Sequence, residues 1–275
     1  IIHNQGADGL SICSALKKAF NSTSIPQGEE RKVIYRYPCS DRKLGNRLPR
    51  VYYAWLLAQA SGAEFEYHCE EEYNGTFIAN LQEMYPSAEK KRLAKELHLP
   101  TLMEICDTCD TIYPLKCKPG SLDLVTDNFR YDLNSIASKM SEEAKLNHSD
   151  IAIHVRCGDA LRTTKNSYGI LPHSTYSRII REEFPGDSLK GTISIVTQPF
   201  DAEYLRLEDR ESGAKCRIII EDLVSYLRQE FPSAQVDLHN HHSDTIAMTY
   251  ARLVLAKKMT ICGPSTFCKM ASVAS

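Results

Sequence analysis

The chain has no apolar run near the roughly 18 residues that a bilayer-spanning helix needs. Its longest candidate, Val51 to Ala63, is interrupted by Gln59 and Ser61. It has little charge imbalance: the net charge is -2 and the isoelectric point about 6.5. No basic field therefore points to nucleic acid or to an anionic membrane surface as partner. The basic cluster Lys90-Lys91-Arg92 needs no more than a solvated helix surface. No Gly-x-Gly-x-x-Gly follows a predicted strand, since Gly6 and Gly9 are too sparse for that fingerprint, which disfavours a dinucleotide oxidoreductase. Internal repeats and low-complexity segments are also absent.

Cysteine is plentiful, with ten residues in 275. Three glycosylation sequons accompany them, at Asn21-Ser-Thr23, Asn74-Gly-Thr76 and Asn147-His-Ser149. Together they favour an oxidising secretory-pathway lumen, Golgi or endoplasmic reticulum, over a cytoplasmic protein with buried free thiols. The chain opens on Ile1 and stops at Ser275 within an apparent helix, as expected of a trimmed soluble domain, with room for a signal peptide or anchor to have been removed. Cys106-x-x-Cys109 with Cys117 and His98 reads either as a disulfide-tied loop or as a zinc site, and it lacks the second close ligand pair of the latter. No resident metal is expected.

An apolar content of 43% and a charged content of 25% describe an ordinary globular protein with ample core material. Lys32–Tyr37 alternates as a strand does, and Leu48, Val51, Tyr52, Trp55 and Leu56 recur at helical spacing until Gly62. Phe65–Cys69 reads as a second strand, residues 87–97 as a charged amphipathic helix, and 98–120 as irregular. Beyond a polar stretch at Ser141–Asn147 the alternation is regular. Strands are expected at 150–155, Thr192–Val196, Ala234–Leu238 and Met259–Cys262. Between them lie helices from His173 to about Glu183, through Ile220, Leu223, Val224, Leu227 and Phe231, and through Ile246, Tyr250, Leu253 and Val254. Strands separated by such helices need crossovers, which implies an α/β fold with a parallel sheet. We place a domain boundary within 125–149 and divide the chain into residues 1–140 and 141–275.

Three constellations carry candidate chemistry. The stretch Asp150-Ile-Ala-Ile-His-Val-Arg-Cys-Gly-Asp159 is a strand that delivers His154, Arg156 and Asp159 to its C-terminal end, the end facing the ligand crevice in open α/β sheets. A strand-end arginine beside a tight turn suits bidentate phosphate binding, although a surface Arg–Asp pair after a buried strand is the simpler alternative. Gly263-Pro-Ser265-Thr266-Phe267 follows the last strand and opens a helix, so Ser265 or Thr266 caps it and the N-terminus can face an anion. Leu44-Gly45-Asn46-Arg47-Leu48 opens the N-terminal helix, where Gly45 permits close backbone approach and Asn46 offers both a donor and an acceptor. Two further groups are less specific. His239, His241 and His242 crowd the loop after strand 234–238 and suit contacts to a nucleotide base, while Asp244 reads as the cap of the next helix.

Taken in order, Gly-Asn-Arg-Leu, His-x-Arg-x-x-Asp and Ser-Thr-Phe resemble the fucosyltransferase superfamily of inverting glycosyltransferases. That group includes α1,2-, α1,6- and protein O-fucosyltransferases. The resemblance spans about residues 32–275 and implies two facing Rossmann-like domains, the GT-B arrangement, with residues 1–140 on the acceptor side and residues 141–275 binding the sugar nucleotide. It implies that Arg156 holds the β-phosphate and that His154 lies beside the nucleotide. Ser265, Thr266 and Phe267 would complete the phosphate and base pocket, with Asn46 approaching from the other domain. Cys157 stands where many members place a second arginine, which puts the fucose donor in doubt.

The expected activity is metal-independent transfer of a sugar, fucose from GDP-fucose in the leading version, to a glycan or glycoprotein hydroxyl. Cleaving a sugar–phosphate bond develops negative charge on the diphosphate, which aimed cations and amides stabilise. Many glycosyltransferases use a metal held by Asp-x-Asp for this, and the nearest pattern here is Asp201-Ala-Glu203, so Arg156 and the helix terminus are expected to replace the metal. Beyond the GDP- or UDP-linked co-substrate no cofactor is expected. Glu71, within the run Glu70-Glu71-Glu72, is the candidate base for the acceptor hydroxyl, with Asp41 as the other choice. The alternatives are a related transferase using a donor such as UDP-xylose, or a non-catalytic nucleotide- or glycan-binding module. A sulfotransferase is disfavoured because the loop after strand 32–37 lacks the lysine and Ser/Thr-rich phosphate grip.

Overall fold

A computed structural model describes residues 32–37, 44, 45, 48, 51, 64–69, 127–162, 169–185, 189–200, 207–241 and 243–275. The chain divides into two compact units, Ile1–Leu133 and Asn134–Ser275.

In the first unit, β1 (Lys32–Tyr37) and β2 (Glu64–Cys69) pair in parallel, with Lys32 opposite Glu64 and Tyr37 opposite Cys69. The crossover that a parallel pair requires carries helical backbone at Leu44, Gly45, Leu48 and Val51, all buried, as is Phe65 of β2. Leu44, Leu48 and Val51 are spaced as one helical face, so the periodicity read from the sequence has its physical cause in burial here.

Helix α1 (Asp127–Ala144) comes next. The sequence pattern assigns no helix here and reads Ser141–Asn147 as a polar, charged stretch at a domain boundary. The helix exists because Leu133, Ile136, Ala137 and Met140 share one face and are buried. Its Asn134 Nδ2 donates to the Ala274 carbonyl at 3.4 Å.

The second unit is an α/β layer. Strands β3 (Ile151–His154), β4 (Thr192–Val196), β5 (Gln235–His239) and β6 (Met259–Cys262) form an all-parallel sheet in the order β5-β4-β3-β6. Ala152 lies opposite Ser194 and Thr260, and His154 opposite Val196 and Cys262. Between and after the strands come the single-turn α2 (Asp159–Arg162), α3 (His173–Glu183), α4 (Leu207–Glu230), α5 (Ile246–Val254) and α6 (Thr266–Ala274). The strands are β-branched and short, and all four residues of β3 are buried, as the centre of a parallel sheet covered on both faces demands.

Alternation sorts the two faces. Ile151, Ile153, Val155, Ile193, Ile195, Val236 and Ile261 pack in one cluster with Tyr176 and Ile180 of α3 and Ile220, Leu223 and Leu227 of α4. Burying each such side chain contributes roughly 1.5–3 kcal/mol relative to exposure. His154, Ser194, His239 and Cys262 take the opposite face, where α5 and α6 lie: Thr260 Oγ1 donates to the Leu253 carbonyl at 2.6 Å, and Phe267 meets Tyr250 edge-on at 5.3 Å between centroids. At the other end of the sheet, the Asp150 carboxylate accepts from the Thr192 amide at 2.9 Å and lies 3.7 Å from Lys258 Nζ. No helix among the described residues is long and apolar enough to cross a membrane.

Two disulfides tie this unit, Cys157–Cys216 and Cys262–Cys268, with Cα separations of 5.8 and 5.5 Å. Neither pairing was legible in the sequence, where the expected disulfide loop at Cys106, Cys109 and Cys117 lies outside the described residues.

Candidate functional site

The chain lays down β3, β4 and β5 outward in one direction, then returns so that β6 pairs on the other side of β3. The strand order therefore reverses between β3 and β6, and ligands in open α/β sheets bind at the carboxyl ends of strands flanking such a reversal. The segments leaving the sheet there are His154-Val155-Arg156 and Gly263–Phe267, the second and third motifs of the sequence reading. His154 and Cys262 are register partners, so both segments depart side by side.

On the β3 side, Val155 and Cys157 sit in the α3/α4 core, and the alternation puts His154 and Arg156 on the other side. His154 is 8% exposed, and its ring lies 5.5 Å from that of Phe267. Burial is the larger reason, and the Arg156 charge the smaller, that its pKa falls from 6.5 to about 4. The imidazole is therefore neutral near pH 7, and its Nδ1 has no hydrogen-bond partner among the described residues. A ring nitrogen kept from water without a partner costs free energy, so such an atom marks a place where a ligand group can repay it. Asp159 starts α2, and its side chain lies outside what is described.

The turn after Arg156 is fixed from the core side. Gly158 has φ 74°, the left-handed region that favours glycine, and its amide donates to Cys216 Sγ at 2.9 Å. A Cβ there would lie 2.5 Å from Gln198 Nε2, a side-chain tip able to shift, so the positive φ is what restricts the position to glycine. Cys157, where the resemblance leads one to expect arginine, is buried and spent on the bond to Cys216.

On the β6 side, the Ser265 amide donates to the Gly263 carbonyl at 2.7 Å, folding Pro264 into a tight turn. Ser265 is the N-cap of α6, with extended backbone (φ -136°, ψ 121°) and its carbonyl accepting from the Lys269 amide at 3.0 Å. The expectation of a cap at 265 or 266 thus resolves to Ser265. Its side chain, however, makes no capping bond, so the first-turn amides are not claimed by it. Thr266 and Phe267 form the first turn.

A third group lines the same edge. His239 ends β5 rather than standing in the loop beyond it, because its carbonyl accepts from the Thr197 amide at 3.0 Å and its Nε2 meets Ser194 Oγ at 3.1 Å. Its pKa is lowered, first by burial and then by Arg252, against the opposing pull of Asp244 and Asp237. Asp244 does not cap α5: Thr245 does, its side chain accepting from the Met248 amide at 3.1 Å. Asp244 instead faces Arg252 at 3.7 Å, a better partner for a largely buried carboxylate than a helix amide. Thr197, buried with an unpartnered Oγ1, and Arg252 were not singled out in the sequence. Asp244 precedes α5, so no i,i+4 spacing in the sequence signals its pairing with Arg252. His241 bonds Ser243 at the surface.

The edge thus gathers His154, Arg156, His239, Ser265, Thr266 and Phe267. Gly45 is a buried helical residue of the first unit, and Asn46 and Glu71, with Asp41, Glu70 and Glu72, lie outside the described residues. No group of three His, Cys, Asp or Glu able to hold a metal occurs among the described residues. Comparison with family models, with characterised proteins and with solved structures finds no match.

Proposed function

We propose that the second unit binds a nucleoside-diphosphate sugar at the β3/β6 edge and that the protein is a metal-independent inverting glycosyltransferase. One observation carries this reading: the reversal of strand order falls between the strand that ends in His154-Val155-Arg156 and the strand that leads into the Ser265-capped helix. A guanidinium offers a bidentate grip on a phosphate, and a helix N-terminus adds amides and a favourable dipole. Both act on the charge that grows as the bond between the anomeric carbon and the diphosphate oxygen breaks. The diphosphate leaves with the electron pair, the acceptor oxygen bonds the anomeric carbon from the opposite side, and its proton passes to a carboxylate, which the sequence assigns to Glu71.

The resemblance makes fucose from GDP-fucose the leading donor and a glycan or glycoprotein hydroxyl the acceptor, with two facing domains of GT-B type. The cystines and sequons fit a secretory-pathway lumen. The test is thermal unfolding with GDP, UDP and their nucleosides, with and without magnesium, followed by transfer assays with GDP- and UDP-sugars. A diphosphate at 100 times its dissociation constant should stabilise the fold by about 2.7 kcal/mol, with magnesium making no difference. Binding without transfer or donor hydrolysis would favour a non-catalytic module, and no binding would remove the proposal.

A further inference from the structure

Each of the two segments at the β3/β6 edge is held by its own cystine. Cys157 follows Arg156 directly and bonds Cys216 of α4, while the next amide, that of Gly158, donates to the same Sγ at 2.9 Å. Gln198 Nε2 donates to the Cys157 carbonyl at 3.4 Å. The backbone just beyond Arg156 is thus fastened to the core face at consecutive residues. The second cystine joins Cys262, the last residue of β6, to Cys268 in the first turn of α6, and brackets Gly263–Phe267.

That second bridge stands where a helix is ordinarily fixed by its cap. Ser265 has the extended backbone of an N-cap, yet its side chain makes no capping bond. The Cys262–Cys268 bond supplies a link between strand end and first turn that the Ser265 side chain does not. Beside it, His154 is more than nine-tenths buried, with an unpartnered Nδ1 and its ring against Phe267, an independent sign that this edge is built around a ligand group.

We propose that Cys157–Cys216 and Cys262–Cys268 are positioning residues for diphosphate recognition, the first setting the segment that carries Arg156 and the second the α6 N-terminus. The inference rests on the reading of this edge as a diphosphate site. A shift of either segment separates cation from amides and weakens the anion grip more than the contacts to the nucleoside, of which only those of Phe267 ride on a bridged segment.

The experiment is calorimetric titration of the intact chain and of two double variants, Cys157→Ala/Cys216→Ala and Cys262→Ala/Cys268→Ala, with inorganic pyrophosphate, GDP, UDP, guanosine and uridine. Misplacing one charge-assisted hydrogen bond corresponds to about a tenfold loss or more, so each double variant should lose about that factor for pyrophosphate and the diphosphate. Nucleoside affinity should stay within about twofold, a split that general destabilisation would not produce. Unchanged diphosphate affinity in the folded variants overturns this inference alone. Failure of the intact chain to bind any diphosphate overturns the site reading along with it. Should Cys157→Ala/Cys216→Ala fail to fold, the Cys262→Ala/Cys268→Ala variant decides the matter, because its bridge closes a much shorter loop and adds less to global stability.

Discussion

His154 is an imidazole held out of water beside a guanidinium, and that placement has a measurable consequence. The unfolded chain takes up a proton near pH 6.5 and the folded chain only near 4, so the unfolded state binds more protons throughout that window. Stability contributed by the neutral ring is complete above about 6.5, falls as the pH drops towards 4, and levels off below. Urea unfolding across this range should lose up to about 1.4 kcal/mol per pH unit from this residue, and His154→Leu should flatten that part of the slope. A variant slope identical to that of the parent would show that His154 titrates normally. Because Arg156 is the second cause of the depression, Arg156→Ala should move the His154 midpoint upward in an NMR titration. The same substitution should abolish diphosphate binding and cost little stability, since the side chain is only half-buried.

At the scale of elements, the two cystines differ in what they restrain. Cys157 and Cys216 are 59 residues apart, Cys262 and Cys268 only 6. Chain-entropy reasoning gives about 4 kcal/mol for the long loop and about 2 for the short one. Calorimetric melting of the two double variants should therefore show the larger drop for Cys157→Ala/Cys216→Ala, and equal drops would refute the entropic account. These bridges also mark where sequence reading stops. Strands β3 to β6 were legible because β-branched alternation and burial share one cause, as was α5 from Ile246, Tyr250, Leu253 and Val254. Cysteine pairing depends on Cα separations that only the folded chain defines, so the sequence could suggest disulfides but not these. Helix α1 was legible in principle from Leu133, Ile136, Ala137 and Met140, but the polar residues at its end masked that spacing. Asp244 and Thr245 are both acceptable caps by residue type, and only the position of Arg252 decided between them.

For the whole second unit, the decisive fact is strand order, which propensity does not contain. The sequence placed Arg156 and Ser265 at the ends of two strands. That those strands are neighbours follows only from the return of the chain past β5 to pair beside β3. The candidate site was therefore legible as two fragments joined through a resemblance, while the adjacency of His154 to Phe267 and the roles of Cys157 and Cys216 belong to the packed state. What the sequence assigns to the acceptor side, Asn46 and Glu71, lies outside the described residues.

The central place of β3 also bears on biosynthesis. Its four buried residues pair with β4 on one side and with β6, more than a hundred positions later in the chain, on the other. On a ribosome that has not yet delivered Met259–Cys262, one margin of this apolar strand is bare, a template for pairing with other nascent chains. A chain ending at residue 257 should accordingly aggregate on expression, and a peptide of residues 258–275 supplied in trans should recover soluble protein. A soluble monomer from the shortened chain alone would mean that this margin is shielded by something other than its final strand.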